Sequence, residues 1–129
     1  AAAYAEMNRK AGKKQYLVPY YICAHPGAGL SEAVEVALYL KKTGFVPDQV
    51  QDFYPTPGSL STCMYWTGLN PRQTNADGSF EEVYVARGAH ERRLQRALLQ
   101  FNRRENAPLV KEALIKIGRK DLIGVLLGK

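Results

Sequence analysis

Tyr21-Ile22-Cys23-Ala24-His25-Pro26-Gly27-Ala28-Gly29 is the stretch on which the fold turns. A short run of aromatic and β-branched residues stops at a Pro-Gly turn, as a strand does where it empties into a loop. Traced backwards, the run extends over 15–24 and is apolar on both parities, as in a parallel strand covered on both faces. Pro19 assigns that strand to an edge or a bulge, because proline donates nothing to a ladder. Beyond the turn, Ser31 is the predicted N-cap, with Glu32 and Glu35 near the positive end of the helix. Val34, Ala37, Leu38 and Lys41 follow at helical spacing, and Gly44 fits the left-handed stop. Val50 to Tyr54 then reads as a second strand, closed by Pro55-Thr56-Pro57-Gly58. Strand, helix and strand in this order predict a parallel βαβ unit with a right-handed crossover. Both Pro/Gly turns then fall on one rim, where α/β proteins bind ligands and helix N-terminal amides face carboxylates or phosphates.

Working outward, residues 1–14 are a polar, Ala-rich tail with Tyr4, Met7 and Ala11 on one helical stripe. Ser59 caps a short helix that ends at Gly68, which completes a unit over 15–68. Residues 69–88 read as an irregular connection with a turn at Asn75-Ala76-Asp77-Gly78 and a short strand over 82–85. Residues 89–129 read as helical, in pieces over 89–101, 107–117 and 121–127, with Pro108 in a first turn and Gly118 as a stop. Two principal strands are too few for a stable parallel sheet. The expectation is therefore the end of a larger α/β fold with a helical appendix, α+β if taken alone. An opening Ala without Met fits a cut fragment, and the expected order of the isolated chain is partial, best in the C-terminal helices.

The 129 residues carry 18 basic against 12 acidic side chains, net +6, with 46% hydrophobic residues. That hydrophobic share argues against wholesale disorder. No apolar run reaches the length of a membrane span, and no apolar signal region follows the N-terminus. Cys23 and Cys63 are no disulfide framework, so free thiols in a reducing cytoplasm are expected. A zinc site from Cys23, His25, Cys63 and His90 lacks a C-x-x-C or H-x-x-x-H pair to anchor it. Arg92, Arg93, Arg96, Arg103 and Arg104 form a basic stripe beside Phe101, either a solvated helix face or a nucleic-acid contact.

The two strand ends resemble those of radical S-adenosylmethionine (SAM) barrels, whose fifth and sixth strands commonly end in G-x-P-G-E-T and P-x-P-G-T patterns. Three stretches resemble the YgiQ family more closely: 13–20 (K-K-Q-Y-L-V-P-Y), 45–58 (F-V-P-D-Q-V-Q-D-F-Y-P-T-P-G), and Leu60-Ser61-Thr62 with Met64-Tyr65. Glu81 to Val85 and Leu94 to Gln100 are similar to that family's C-terminal extension, so the likeness covers residues 8–124.

The resemblance implies the last βαβ part of a partial TIM barrel followed by a mostly helical extension that would cover the open barrel. It implies a SAM-facing rim in which Ile22 packs on adenine, with the backbone of Ala24 and of Tyr54–Pro55 nearby. His25 beside the Pro-Gly turn either donates to SAM or a substrate, or caps the following helix or pairs with backbone. Ala24 stands where the pattern has Gly, and Ala28 where it has Glu. Asp52 is either a barrel-interior carboxylate for a substrate amine or the SAM ribose, or a solvent-facing or lysine-paired one. The parent would hold SAM and a [4Fe–4S] cluster on a C-x-x-x-C-x-x-C loop upstream. Three thiolates are required, so two cysteines leave this chain alone without cluster, metal ligand or catalytic residue. The partners implied are the remainder of the barrel and an unknown substrate. The enzymatic reading competes with a basic helical module for RNA or an acidic protein, and with a structural tail.

Overall fold

The computed structural model describes residues 2–128. Strands β1 (Tyr21–Cys23) and β2 (Val50–Asp52) pair in parallel with Tyr21 opposite Val50 and Cys23 opposite Asp52. Helix α2 (Leu30–Thr43) connects them, so the βαβ unit and the mixed α/β character stand. A short α3 (Leu60–Thr67) follows, then an antiparallel hairpin of β3 (Leu69–Thr74) and β4 (Phe80–Glu82). Helices α4 (Ala89–Leu99), α5 (Ala107–Lys116) and α6 (Leu122–Leu127) complete the chain behind α1 (Ala2–Lys10).

Alternation along the strands decides what the sheet covers. Cys23 and Val50 join the core, whereas Ile22 and its partner Gln51 face the opposite way and are exposed. On the covered side α2 contributes Ala33, Val34, Ala37 and Leu40, and α4 contributes Leu94, Ala97 and Leu98. Val110, Ala113 and Leu114 of α5 and Leu122 and Leu126 of α6 extend the same core. Leu40, Leu94, Leu98 and Leu114 are wholly buried, each worth about 2 kcal/mol of transfer free energy. Helix α4 thus lies against the sheet as a layer with α2, and α5 and α6 pack on these helices.

Several sequence expectations need correction. The strand expected over 15–24 is reduced to three residues, and Tyr16 and Val18 are 82% and 85% exposed. Proline at 19 blocks a ladder there, and among the described residues no further strand pairs with that edge. The helix cap is Gly29, not Ser31: the Glu32 carboxylate accepts the Gly29 N–H at 2.8 Å. Residues 69–74 form a strand despite Pro71 and polar side chains that carry no strand periodicity. The expected strand over 82–85 pairs only up to Glu82. Its continuation instead bonds outward, Val83 N–H to Gly68 and Tyr84 carbonyl to the Gly27 N–H, both at 2.7 Å.

Other local signals read true. Ser59 caps α3 through the Thr62 N–H at 3.2 Å, and Gly44, Gly68 and Gly118 stop their helices with positive φ. Helix α1 forms, yet none of its residues is buried, and Met7 is 70% exposed.

Candidate functional site

Both β strands discharge at the same end of the sheet, and the loops there are tied down by side chains from other elements. Ala24 adopts φ 57, the left-handed region, which explains why a glycine is the common residue at such a turn. Its N–H donates to Gln95 Oε1 at 2.9 Å, and Gln95 Nε2 donates to the Ala28 carbonyl at 3.0 Å. Gln95 is only 1% exposed, so one amide of α4 satisfies both ends of the His25-Pro26-Gly27 turn.

His25 is held on both nitrogens. Nδ1 lies 2.9 Å from the Pro26 carbonyl, which only accepts, so in the neutral ring Nδ1 carries the proton. Nε2 then accepts from the Ser61 hydroxyl at 2.9 Å, and Phe53 meets the ring edge-on at 5.2 Å. The histidine joins the β1 turn to α3. Tyr54 is 78% exposed and Ile22 43%, both large apolar surfaces at the rim, while Pro55 is half-buried. Next to them Phe53, Tyr65 and Trp66 form an aromatic series with centroid spacings of 5.7 and 5.2 Å. Arg87 stacks over Tyr65 at 5.3 Å and donates to its carbonyl at 2.6 Å. Sequence reading passed over this series, because Phe53 and Tyr65 are twelve positions apart and meet only through α3.

Asp52 lies on the helix side of the sheet, since its register partner is the buried Cys23. It is therefore no carboxylate of the bare face, and its partner is an arginine rather than a lysine. Oδ2 pairs with Arg96 of α4 at 2.9 Å, and Oδ1 accepts from the Cys23 thiol at 2.9 Å. Burial, then the hydrogen bond and charge of Asp52, push the thiol up to about 12, against a smaller opposing effect of Arg96. Arg92, Arg93 and Ala89 complete a cavity of about 400 Å³ with Asp52 and Arg96.

The N-terminal end of α2 opens on a cavity of about 530 Å³ lined by Gly27, Glu32, Tyr84 and Glu91 among others. Here the carboxylate at the helix N-terminus is supplied by the chain itself. Glu32 already takes the Gly29 amide, and Glu91 accepts the Tyr84 hydroxyl at 2.5 Å. That hydrogen bond, then burial, push Tyr84 up to about 12. The residues once drawn as a zinc set are dispersed. Cys63 is exposed on α3, His90 pairs with Glu112 at 2.5 Å, and among the described residues no group of three potential ligands stands close enough for a metal. The basic stripe is broken too, because Arg103 donates to the Asp48 carbonyl at 2.8 Å and faces Glu105 at 3.8 Å. No helix of the described residues is long and apolar enough to cross a membrane.

A βαβ unit whose helical layer is continued by a C-terminal domain is the class these elements define. Residues 48–127 match the family model described as a domain of unknown function (DUF3362). The chain is similar to a UPF0313 protein of Clostridium botulinum (strain Okra / Type B1), 55% identical over 121 residues, which are 94% of this chain and 18% of that protein. It is 52% identical over 121 residues to a UPF0313 protein of Methanocella arvoryzae, 94% of this chain and 19% of that one. A UPF0313 protein of Clostridium perfringens (strain ATCC 13124) is 47% identical, with 94% and 17% covered. This chain belongs to the DUF3362 and UPF0313 family, the YgiQ-like proteins. It spans about a fifth of the length of these curated relatives. No solved structure matches it.

Proposed function

We propose that the chain is the closing βα part of a radical SAM barrel within a longer protein of the reducing cytoplasm. In this reading it supplies rim surface for SAM and the outer helical layer. The observation that carries the reading is the parallel β1–β2 pair, roofed by α2 and α4 on one face and bare on the other, where Ile22 and Gln51 are exposed. A barrel strand has helices outside and cofactor inside, so a bare inner face suits a segment whose neighbours complete the wall.

The [4Fe–4S] cluster does not fit these residues. Cys23 is buried and bonded to Asp52, and Cys63 sits on another element, exposed. In this reading the cluster belongs to other segments of the protein. The rim does fit a nucleoside: Ile22 and Tyr54 offer apolar contact on exposed surface. SAM held at this rim would supply hydrogen-abstraction chemistry only together with a reduced cluster held by other segments. The chain's own part is positional. Gln95 fixes the turn after β1, and His25 with Ser61 fixes that turn against α3, which keeps the rim shaped for the base. A structural role for the C-terminal helices, as the outer layer of that wall, is favoured by Leu94 and Leu98 being wholly buried in the shared core.

The full-length protein, purified without oxygen and reconstituted with iron and sulfide, is expected to form 5′-deoxyadenosine when reduced with SAM, as read by mass spectrometry. Failure to bind any cluster overturns the proposal.

A further inference from the structure

Arg92, Arg93 and Arg96 leave one turn of α4 and reach a single cavity of about 400 Å³, completed by Asp52 and Ala89. The charged lining is three guanidinium groups and one carboxylate, hence +3 − 1 = +2. The carboxylate is already committed at both oxygens, to Arg96 at 2.9 Å and to the Cys23 thiol at 2.9 Å. It neutralises one guanidinium and leaves two. Neighbouring groups on the helix point elsewhere: His90 pairs with Glu112, and Glu91 with Tyr84. Among the described residues, Arg92 and Arg93 form no ion pair. Adjacent like charges in a concavity repel one another, and an anion that enters it relieves the repulsion.

We propose that this cavity binds a compact, multiply charged phosphate group, such as the diphosphate or phosphate ester of a small ligand. Arg92 and Arg93 are the contact residues, and Arg96 is held in register by Asp52. The planar fork of a guanidinium matches two phosphate oxygens at once, which a lysine does not reproduce. The net lining charge of +2 favours a multiply charged anion. A nucleic-acid track is the weaker fit. The stripe does not continue, since Arg103 is spent on the Asp48 carbonyl and Glu105. The inference is independent of the radical reading, because anion binding here requires no cluster.

The test titrates inorganic diphosphate into the full-length protein at low salt, followed by calorimetry. Saturable binding is expected, weakened about tenfold by Arg92→Gln and by Arg93→Gln. Arg93→Lys, which keeps the charge, is expected to lie between. Unchanged thermal midpoints of the variants tie the loss to the site. Absence of saturation in the millimolar range overturns the proposal, as does binding that both Gln variants leave intact. A short RNA that binds through Arg92 and Arg93 where diphosphate does not also overturns it, in favour of a polynucleotide surface.

Discussion

Cys23 and Cys63 are the same residue in the sequence and opposite ones in the fold. Cys23 is 3% exposed with its thiol on Asp52, whereas Cys63 is exposed on α3. Since the thiolate is the nucleophile, alkylation with iodoacetamide at about pH 8 should label Cys63 and spare Cys23 in the folded protein, read by peptide mass spectrometry. The linked stability has a definite sign. The folded pKa of Cys23 is about 12 against 9.0 for the free thiol, so the folded state holds its proton longer. Its contribution is present in full below 9.0 and is lost as pH rises towards 12. Tyr84, raised from 10.0 to about 12, acts in the same direction. Cys23→Ala should therefore flatten, but not abolish, the alkaline decline in unfolding free energy. None of this is visible in the sequence, since it depends on which elements pack around each thiol.

Helix α4 organises both ends of the sheet through two glutamines. Gln95 holds the turn after β1, and Gln100, just past the helix, donates to the Asp48 carbonyl before β2 at 2.8 Å. These two are the buried polar side chains among the described residues. Gln95→Leu keeps the volume but orphans the Ala24 amide and the Ala28 carbonyl. The expected cost is about 3 kcal/mol of stability, measured by urea unfolding. A midpoint unchanged from wild type would show that Gln95 does not hold the turn. The periodicity of Leu94, Ala97 and Leu98 made α4 legible as a helix, and Gly44 and Gly68 made the helix ends legible. Of the hairpin β3–β4 the turn at Asn75-Ala76-Asp77-Gly78 was legible, closed by the Gly78 N–H on the Asn75 carbonyl at 3.0 Å, whereas strand β3 was not, since its pairing rests on backbone bonds that leave no hydrophobic pattern.

At the scale of the whole molecule, apolar surface is distributed unevenly. Tyr16, Leu17, Val18 and Tyr20 line a groove of about 660 Å³ with Phe45 and Val46, and Ile22 and Tyr54 stand exposed beyond it. Surface of this kind marks contact with more protein. If the rest of the longer protein covers it, as the proposed barrel requires, the 129-residue chain should enhance the fluorescence of a hydrophobic dye strongly. The full-length protein, compared per molecule, should enhance it far less. Equal enhancement would mean that the groove and the bare sheet face stay open.

Local order was written in the sequence. Cap residues, helical spacing and Pro/Gly turns fixed the succession of strand, helix and strand and the helical C-terminal third, because each depends on neighbours within a few positions. Family likeness was legible too, since words such as Phe53-Tyr54-Pro55-Thr56-Pro57-Gly58 survive in linear form. Only the tertiary structure decided the length of β1, which needs a partner strand to exist. It alone turned Asp52 towards Cys23 and Arg96, brought Gln95 to a turn about seventy positions away, and gathered three arginines of α4 around Asp52. These arrangements depend on which face of the sheet the helices cover, and that choice is made by burial between residues far apart in the chain, not by any local pattern.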